Sequence, residues 1–272
     1  MFFIKESLNL TNKYIILATP LILFSLLSSL YILFSMNGTL LNMLLAFVLF
    51  FLMLTTFLAG WFFMIKKSVQ GYNETDSNSL IKEFPAGVGE YFLPVFGGII
   101  NALILTTILL AGAYFLGMKT IGELGIPAES FTKAMESATA LKTFLLGLSQ
   151  EQLLKVNAWN LLLMGAMSVS YFLLMFYPPV MFFKERNPYK ALLLAIKDLF
   201  MIRFFKNVLL YIMLMVSYFI LSVFTTIFGN NVFTHFVFTL INFYYLVCVV
   251  VLVFNYYYKN YIRIGANIDK TV

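Results

Sequence analysis

Six apolar stretches, near residues 14–36, 39–65, 92–117, 156–183, 207–228 and 232–258, contain no Asp, Glu, Lys or Arg. Each supplies the about 20 residues that cover a hydrocarbon core of ~30 Å at ~1.5 Å rise per residue. A chain patterned this way crosses a bilayer repeatedly. Hydrophobic residues make up 61% of it and charged residues 11%, against about 45–50% and about 25% in soluble domains, which excludes a water-soluble fold. The expected fold class is all-α, a polytopic transmembrane helical bundle of about six spans with interfacial amphipathic helices. Residues 1–272 then form a single integral membrane domain, because little chain remains outside the spans. The run from Tyr14 to Met36 exceeds the apolar core of a signal peptide, so the first span is expected to be retained. Cys248, the single cysteine, lies in the last span and rules out an intrachain disulfide or a cysteine metal cluster. It reads as a packing residue.

Asn37-Gly38 and Gly229-Asn230-Asn231 are short reversals between neighbouring spans and must face the same side. With the N-terminus inside, every Lys and Arg falls on the cytoplasmic side except Lys119, Lys133, Lys142 and Lys155. Those four share segment 118–155 with Glu123, Glu129, Glu136 and Glu151, so the whole net charge of +6 sits on one face. The positive-inside rule therefore places both termini in the cytoplasm of a cell-membrane protein. Nucleic acid is not expected as a partner despite the sequence pI of about 9.2, because the cations cluster at span ends, where they meet anionic headgroups. Tyr256, Tyr257, Tyr258 and Tyr261 beside Lys259 read as an interfacial aromatic belt, and Trp61 as a second anchor of that kind.

Three connections are long. In 184–206, Asn187 is a good N-cap and Pro188 suits the first helical position. The helix they open carries Lys190 and Lys197 on nearly one face, with Asp198 beside them and Leu192, Leu193, Ala195, Ile196, Leu199 and Phe200 around the rest. It reads as a cytoplasmic interfacial helix, an elbow between spans or a docking surface. Segment 66–91 reads as a polar loop from Gly71 to Ser79 followed by a short helix stopped by Pro85. Its acids, Glu74, Asp76, Glu83 and Glu90, do not have the spacing of a Ca²⁺ loop. Segment 118–155 reads as two amphipathic helices: one carrying Phe131, Ala134, Met135, Ala138, Leu141, Phe144 and Leu145, the other opened by a Ser149/Gln152 capping box.

No catalytic, cofactor-binding or metal-ligating set emerges. His235 is the only histidine, and no nucleophile elbow, phosphate loop, His-Glu-x-x-His or zinc spacing is present. Polarity inside the spans is mild. Asn101 and Asn242 are the amides at which a polar pathway or substrate contact is sought first, whereas Ser25/Ser29, Ala113/Gly117 and Ala166/Ser170 suit close helix packing. Helix breaks, the other sign of a transport site, are expected at Pro20, at Pro94 with Gly97-Gly98, and at Pro178-Pro179.

Phe176-Tyr177-Pro178-Pro179, a short basic turn, Pro188-Tyr189-Lys190-Ala191-Leu192 and then Lys206-Asn207 form one recognisable arrangement. Gly71, Phe84-Pro85 and Phe96-Gly97-Gly98 form another. Together they resemble bacterial and archaeal six-span proteins related to the glycerophosphodiester phosphodiesterase membrane domain. The resemblance implies a membrane module without phosphodiesterase activity. The expected function is a non-enzymatic multi-pass protein acting with membrane lipids or protein partners, in envelope lipid handling or export. The alternative is a permease subunit or small transporter for an apolar or amphipathic solute, energised by an ATPase or another membrane subunit. The sequence sets no oligomeric state and no cofactor.

Overall fold

The computed structural model describes residues 2–35, 40–71, 77–134, 137–201, 203–229 and 231–263. The Asn37-Gly38 reversal, Glu74, Asp76, Met135, Glu136, Asn230 and Lys270 lie outside them. The chain is 90% helical, with no strand among the described residues. Twelve helices are described: α1 (Phe2–Lys13), α2 (Ala18–Ser35), α3 (Leu40–Val69), α4 (Ser77–Ile81), α5 (Glu83–Thr120), α6 (Ala128–Ala134), α7 (Ala138–Leu146), α8 (Gln150–Leu174), α9 (Tyr177–Phe183), α10 (Pro188–Met201), α11 (Phe204–Phe228) and α12 (Val232–Tyr257). A 3₁₀ turn (Ile15–Leu17) joins α1 to α2, and α12 continues into a π-helical turn (Tyr258–Ile262).

Among the described residues, six helical segments are long and apolar enough to cross a membrane: Ile15–Ile32, Leu41–Val69, Ser79–Thr120, Gln150–Phe183, Phe204–Phe228 and Phe233–Ile262. The chain is a multi-pass membrane protein. The third and fourth segments start earlier than sequence pattern placed them, because α5 and α8 extend beyond their uncharged runs. Large apolar side chains such as Leu44, Phe47, Ile108, Leu161, Phe219 and Phe233 stand exposed on these segments, as lipid-facing residues do.

The prolines act differently from expectation. Pro85 stops nothing: it sits in the first turn of α5, where its missing N–H has no helical acceptor to lose. Pro20 likewise falls in the first turn of α2, and α5 runs through Pro94. Only Pro178-Pro179 marks a real break, with α8 ending at Leu174 and α9 opening on the two prolines. Local caps decide other boundaries. Ser149 and Gln152 close a reciprocal box of 3.1 and 3.2 Å that opens α8. The stripe through 131–145 divides into α6 and α7, because Ser137 accepts from the Ala140 amide and starts a new helix. Asn231 and Thr234 form a further capping box at the start of α12.

The chain divides into two compact units. Unit 1 comprises Met1–Asn101 and Leu173–Val272, and unit 2 comprises Ala102–Phe172. The core of unit 1 is aromatic. Phe24 stacks on Phe57 at 4.4 Å and Phe57 on Trp61 at 5.2 Å, while Phe62 meets Phe182 edge-on and Phe182 stacks on Tyr91 at 4.2 Å. Such pairs add about 0.5–1.5 kcal/mol each beyond the area they bury. In unit 2, the second part of α5 lies antiparallel to α8, with Thr106 and Ser170 hydroxyls 2.6 Å apart. Farther along, Trp159 covers Gly117 so closely that a Cβ there would stand 2.4 Å from the indole. The Ala113, Gly117 and Ser170 faces are buried accordingly, whereas Ser29 is exposed and bonds back to Ser25 in its own helix.

Candidate functional site

The helix ends of unit 1 that carry basic residues converge on a buried polar network. Its centre is Asp198 of α10, only 6% exposed. Lys184, just after α9, donates to its carboxylate at 2.8 Å, and the Tyr257 hydroxyl donates to the same oxygen at 2.5 Å. Lys184 also lies over the Tyr257 and Tyr261 rings, 5.3 and 5.8 Å from their centroids. Two sites thus answer one buried carboxylate, one by charge and one by a neutral hydrogen bond.

Asn207, wholly buried on α11, bonds through both ends of its amide. Its Nδ2 donates to the Leu199 carbonyl at 2.9 Å, and its Oδ1 accepts from the Tyr256 and Tyr261 hydroxyls at 3.0 Å each. Arg203 precedes α11 in the left-handed conformation at φ 60°, a conformation that costs a non-glycine residue about 1–3 kcal/mol. Its guanidinium donates to Asn260 Oδ1, while Asn260 Nδ2 donates to the Tyr256 carbonyl at 2.8 Å. Nearby, Lys66 donates to the Tyr91 hydroxyl at 2.9 Å, Tyr91 donates to the Phe182 carbonyl, and Arg186 pairs with Glu90.

α1 belongs to the same network. It runs antiparallel along α12, with Glu6 paired to Lys259, the Asn255 amide donating to Ser7 at 3.2 Å, and Tyr244 donating to Asn12 at 2.6 Å. Ser7, Thr11 and Asn255 are buried in that seam, where Asn255 Oδ1 has no partner among the described residues. Sequence reasoning treated residues 1–13 only as a cytoplasmic lead-in. The signal available was the polar stripe Ser7/Thr11, four residues apart on one helix face.

Comparison with protein-family models, curated proteins and solved structures finds no match to the chain. What the arrangement can do must therefore be read from its own groups.

The amides chosen from sequence have different fates. Asn101 is buried, and its Nδ2 donates to the Tyr177 hydroxyl at 3.2 Å, which in turn donates to the Pro188 carbonyl at 3.0 Å. This relay joins α5, α9 and α10, and Pro188 packs where Gly97 has no side chain. Asn242 is half-buried and donates to the Phe238 carbonyl of its own helix at 2.9 Å. The structure does not bring the two together. Asn187 Oδ1 accepts from the Tyr189 and Lys190 amides at 3.1 and 3.2 Å and caps α10, which opens at Pro188. Lys190 and Lys197 are exposed, but Asp198 turns away from them into the buried face with Ala191, Ala195 and Leu199.

The aromatic anchors are corrected in the same way. Trp61 is 2% exposed and donates to the Leu17 carbonyl at 2.8 Å, so it fastens the 3₁₀ turn to α3. Tyr256, Tyr257 and Tyr261 are buried hydrogen-bonding members of the network, with Tyr258 half-buried beside them. The hydroxyls of Tyr256, Tyr257 and Tyr261 find partners inside the protein, so these rings do not project toward headgroups as belt residues do. His235 is exposed near the start of α12, and Cys248 is half-buried. No group of three His, Cys, Asp or Glu residues among the described ones could hold a metal ion.

Proposed function

We propose that the chain is a non-enzymatic membrane module of the cell membrane, with both termini cytoplasmic, that works through lipid or protein partners. The observation that carries this reading is the commitment of Asp198. A buried carboxylate whose Oδ2 accepts from both Lys184 and Tyr257 is fastened as a structural joint between helices. Asn101 and Asn207 support the same reading, since each amide bridges helices. The orientation is supported by the gathering of Lys66, Lys184, Arg186, Arg203 and Lys259 in or beside one network, together with the sequence-wide excess of cations on that side.

Purification in mild detergent, followed by mass spectrometry of copurifying lipids and proteins, tests the function. A reproducible lipid class or a membrane-protein partner is expected. A stoichiometric ATPase would overturn the module reading in favour of a permease subunit. Fusion reporters inserted at Glu185 and Glu123 test orientation, with the first expected in the cytoplasm and the second outside. The reverse result would reject the proposed topology.

A further inference from the structure

A groove of about 430 Å³ runs along unit 1 between α2, α3 and the junction of α4 with α5. Its walls are Leu23 and Leu27 of α2, Met53 and Phe57 of α3, and Ile81 and Phe84 at the junction. Thr56 also lines it, but the hydroxyl is spent on the Leu52 carbonyl of its own helix at 2.9 Å. The cleft therefore offers hydrocarbon contacts and little else.

The walls are held from behind. Phe84 lies flat against Gly60, where a Cβ would come within 2.6 Å of its ring, so the missing side chain sets how far the ring recedes. Phe57 is clamped between Phe24 and Trp61, and Trp61 is fixed in turn by the Leu17 carbonyl. A cleft with fixed walls demands less ordering from whatever enters it.

A cation flanks one end of the cleft. Lys82 is exposed and directly follows the wall residue Ile81, while Glu83 is engaged by Lys67 at 3.7 Å, which offsets its charge. The 3₁₀ turn that follows Lys13 and Tyr14 packs on α4, which brings the basic end of α1 to the same region. In a chain that spans a bilayer, an apolar cleft with cations at one end matches a molecule with a hydrocarbon chain and an anionic head.

We propose that this groove binds an acyl chain of an anionic phospholipid, whose phosphate is met by Lys82 and Lys13. This proposal rests on the partner-dependent reading above and names the lipid class. Basic residues near an anionic headgroup contribute enough to change retention about fivefold per lysine.

The test uses the purified full chain in mild detergent, mixed with phosphatidylglycerol or phosphatidylcholine of matched chain length, with bound lipid counted by native mass spectrometry. The wild type is expected to keep phosphatidylglycerol in preference to phosphatidylcholine. Thr56→Trp, which fills the cleft, should abolish that retention, and Leu23→Trp on the facing wall provides the same measurement should the first variant not fold. Lys82→Ala with Lys13→Ala should lower phosphatidylglycerol retention more than phosphatidylcholine retention and so remove the preference between them. Leu44→Trp, on the exposed face of α3, serves as the control that changes neither. Equal retention of the two lipids by the wild type, or unchanged retention in both cleft-filling variants, would overturn the proposal. A copurifying ATPase would reject the module reading and leave this lipid preference standing, so the two failures are distinguishable.

Discussion

In unit 1, helix ends meet through side chains that answer one another: Asp198 with Lys184 and Tyr257, Asn207 with Tyr256 and Tyr261, Glu6 with Lys259. In unit 2, α5 and α8 lie flank to flank, joined by the Thr106–Ser170 hydroxyl pair and by Trp159 seated over Gly117. The contrast follows from the solvent. Lipid tails are as apolar as leucine, so helices in a bilayer gain little by hiding hydrophobic side chains from one another. They must be held by close steric fit or by polar groups that have no other partner. Unit 2 relies on fit along the span, whereas unit 1 concentrates polar fasteners where its charged residues gather.

Each unit holds one of the two tryptophans, Trp61 in unit 1 and Trp159 in unit 2. Single-tryptophan variants, with the other changed to Phe, make unfolding of each unit visible by fluorescence. The largest effect is expected from Asp198→Leu, which leaves Lys184 and Tyr257 without their shared acceptor. Breaking a buried ion pair from one side costs about 3–5 kcal/mol, and partial exposure of Lys184 places this case near the lower end. The Trp61 signal should record that loss, with a smaller shift at Trp159. Gly117→Ala should do the reverse at about 1–3 kcal/mol, since the new methyl overlaps the Trp159 ring and forces the helices apart. Equal shifts in both signals for either variant would dissolve the distinction between the two modes of fastening.

Smaller effects sharpen it. Thr106→Val and Ser170→Ala, taken as a double-mutant cycle, should give a coupling of about 0.6 kcal/mol, the average for hydrogen bonds between membrane helices. Asn242→Leu should leave thermal stability unchanged, because its amide only returns to its own helix. A marked loss there would expose a contact between helices at that residue.

Much of the fold was legible locally. Span positions follow from apolar length, and the starts of α8 and α10 follow from Ser149/Gln152 and Asn187-Pro188, whose partners lie two or three residues away. The site was far less legible. Asn101 meets a tyrosine 76 residues on, Asn255 meets a serine 248 residues away, and nothing local marks either pairing. Tyr257 and Trp61 looked like interfacial anchors because amphipathic aromatics serve both at membrane surfaces and in buried hydrogen-bonded positions. Pro85 and Pro20 looked like breaks because a proline's effect depends on which turn of the helix it occupies.

What the sequence determined by itself was the number of the bilayer-crossing segments and the place of their uncharged cores, the clustering of charge at their ends, and the caps that open several helices. These depend on transfer from water to lipid and on contacts within one turn. Which face of each helix looks inward was decided only in the tertiary structure. A span that is apolar all round carries no amphipathic phase to mark its inner side. Selection of that side rested on the few groups that lipid cannot satisfy, Asp198, Asn207 and Asn101 among them, and on where a missing side chain lets two helices approach.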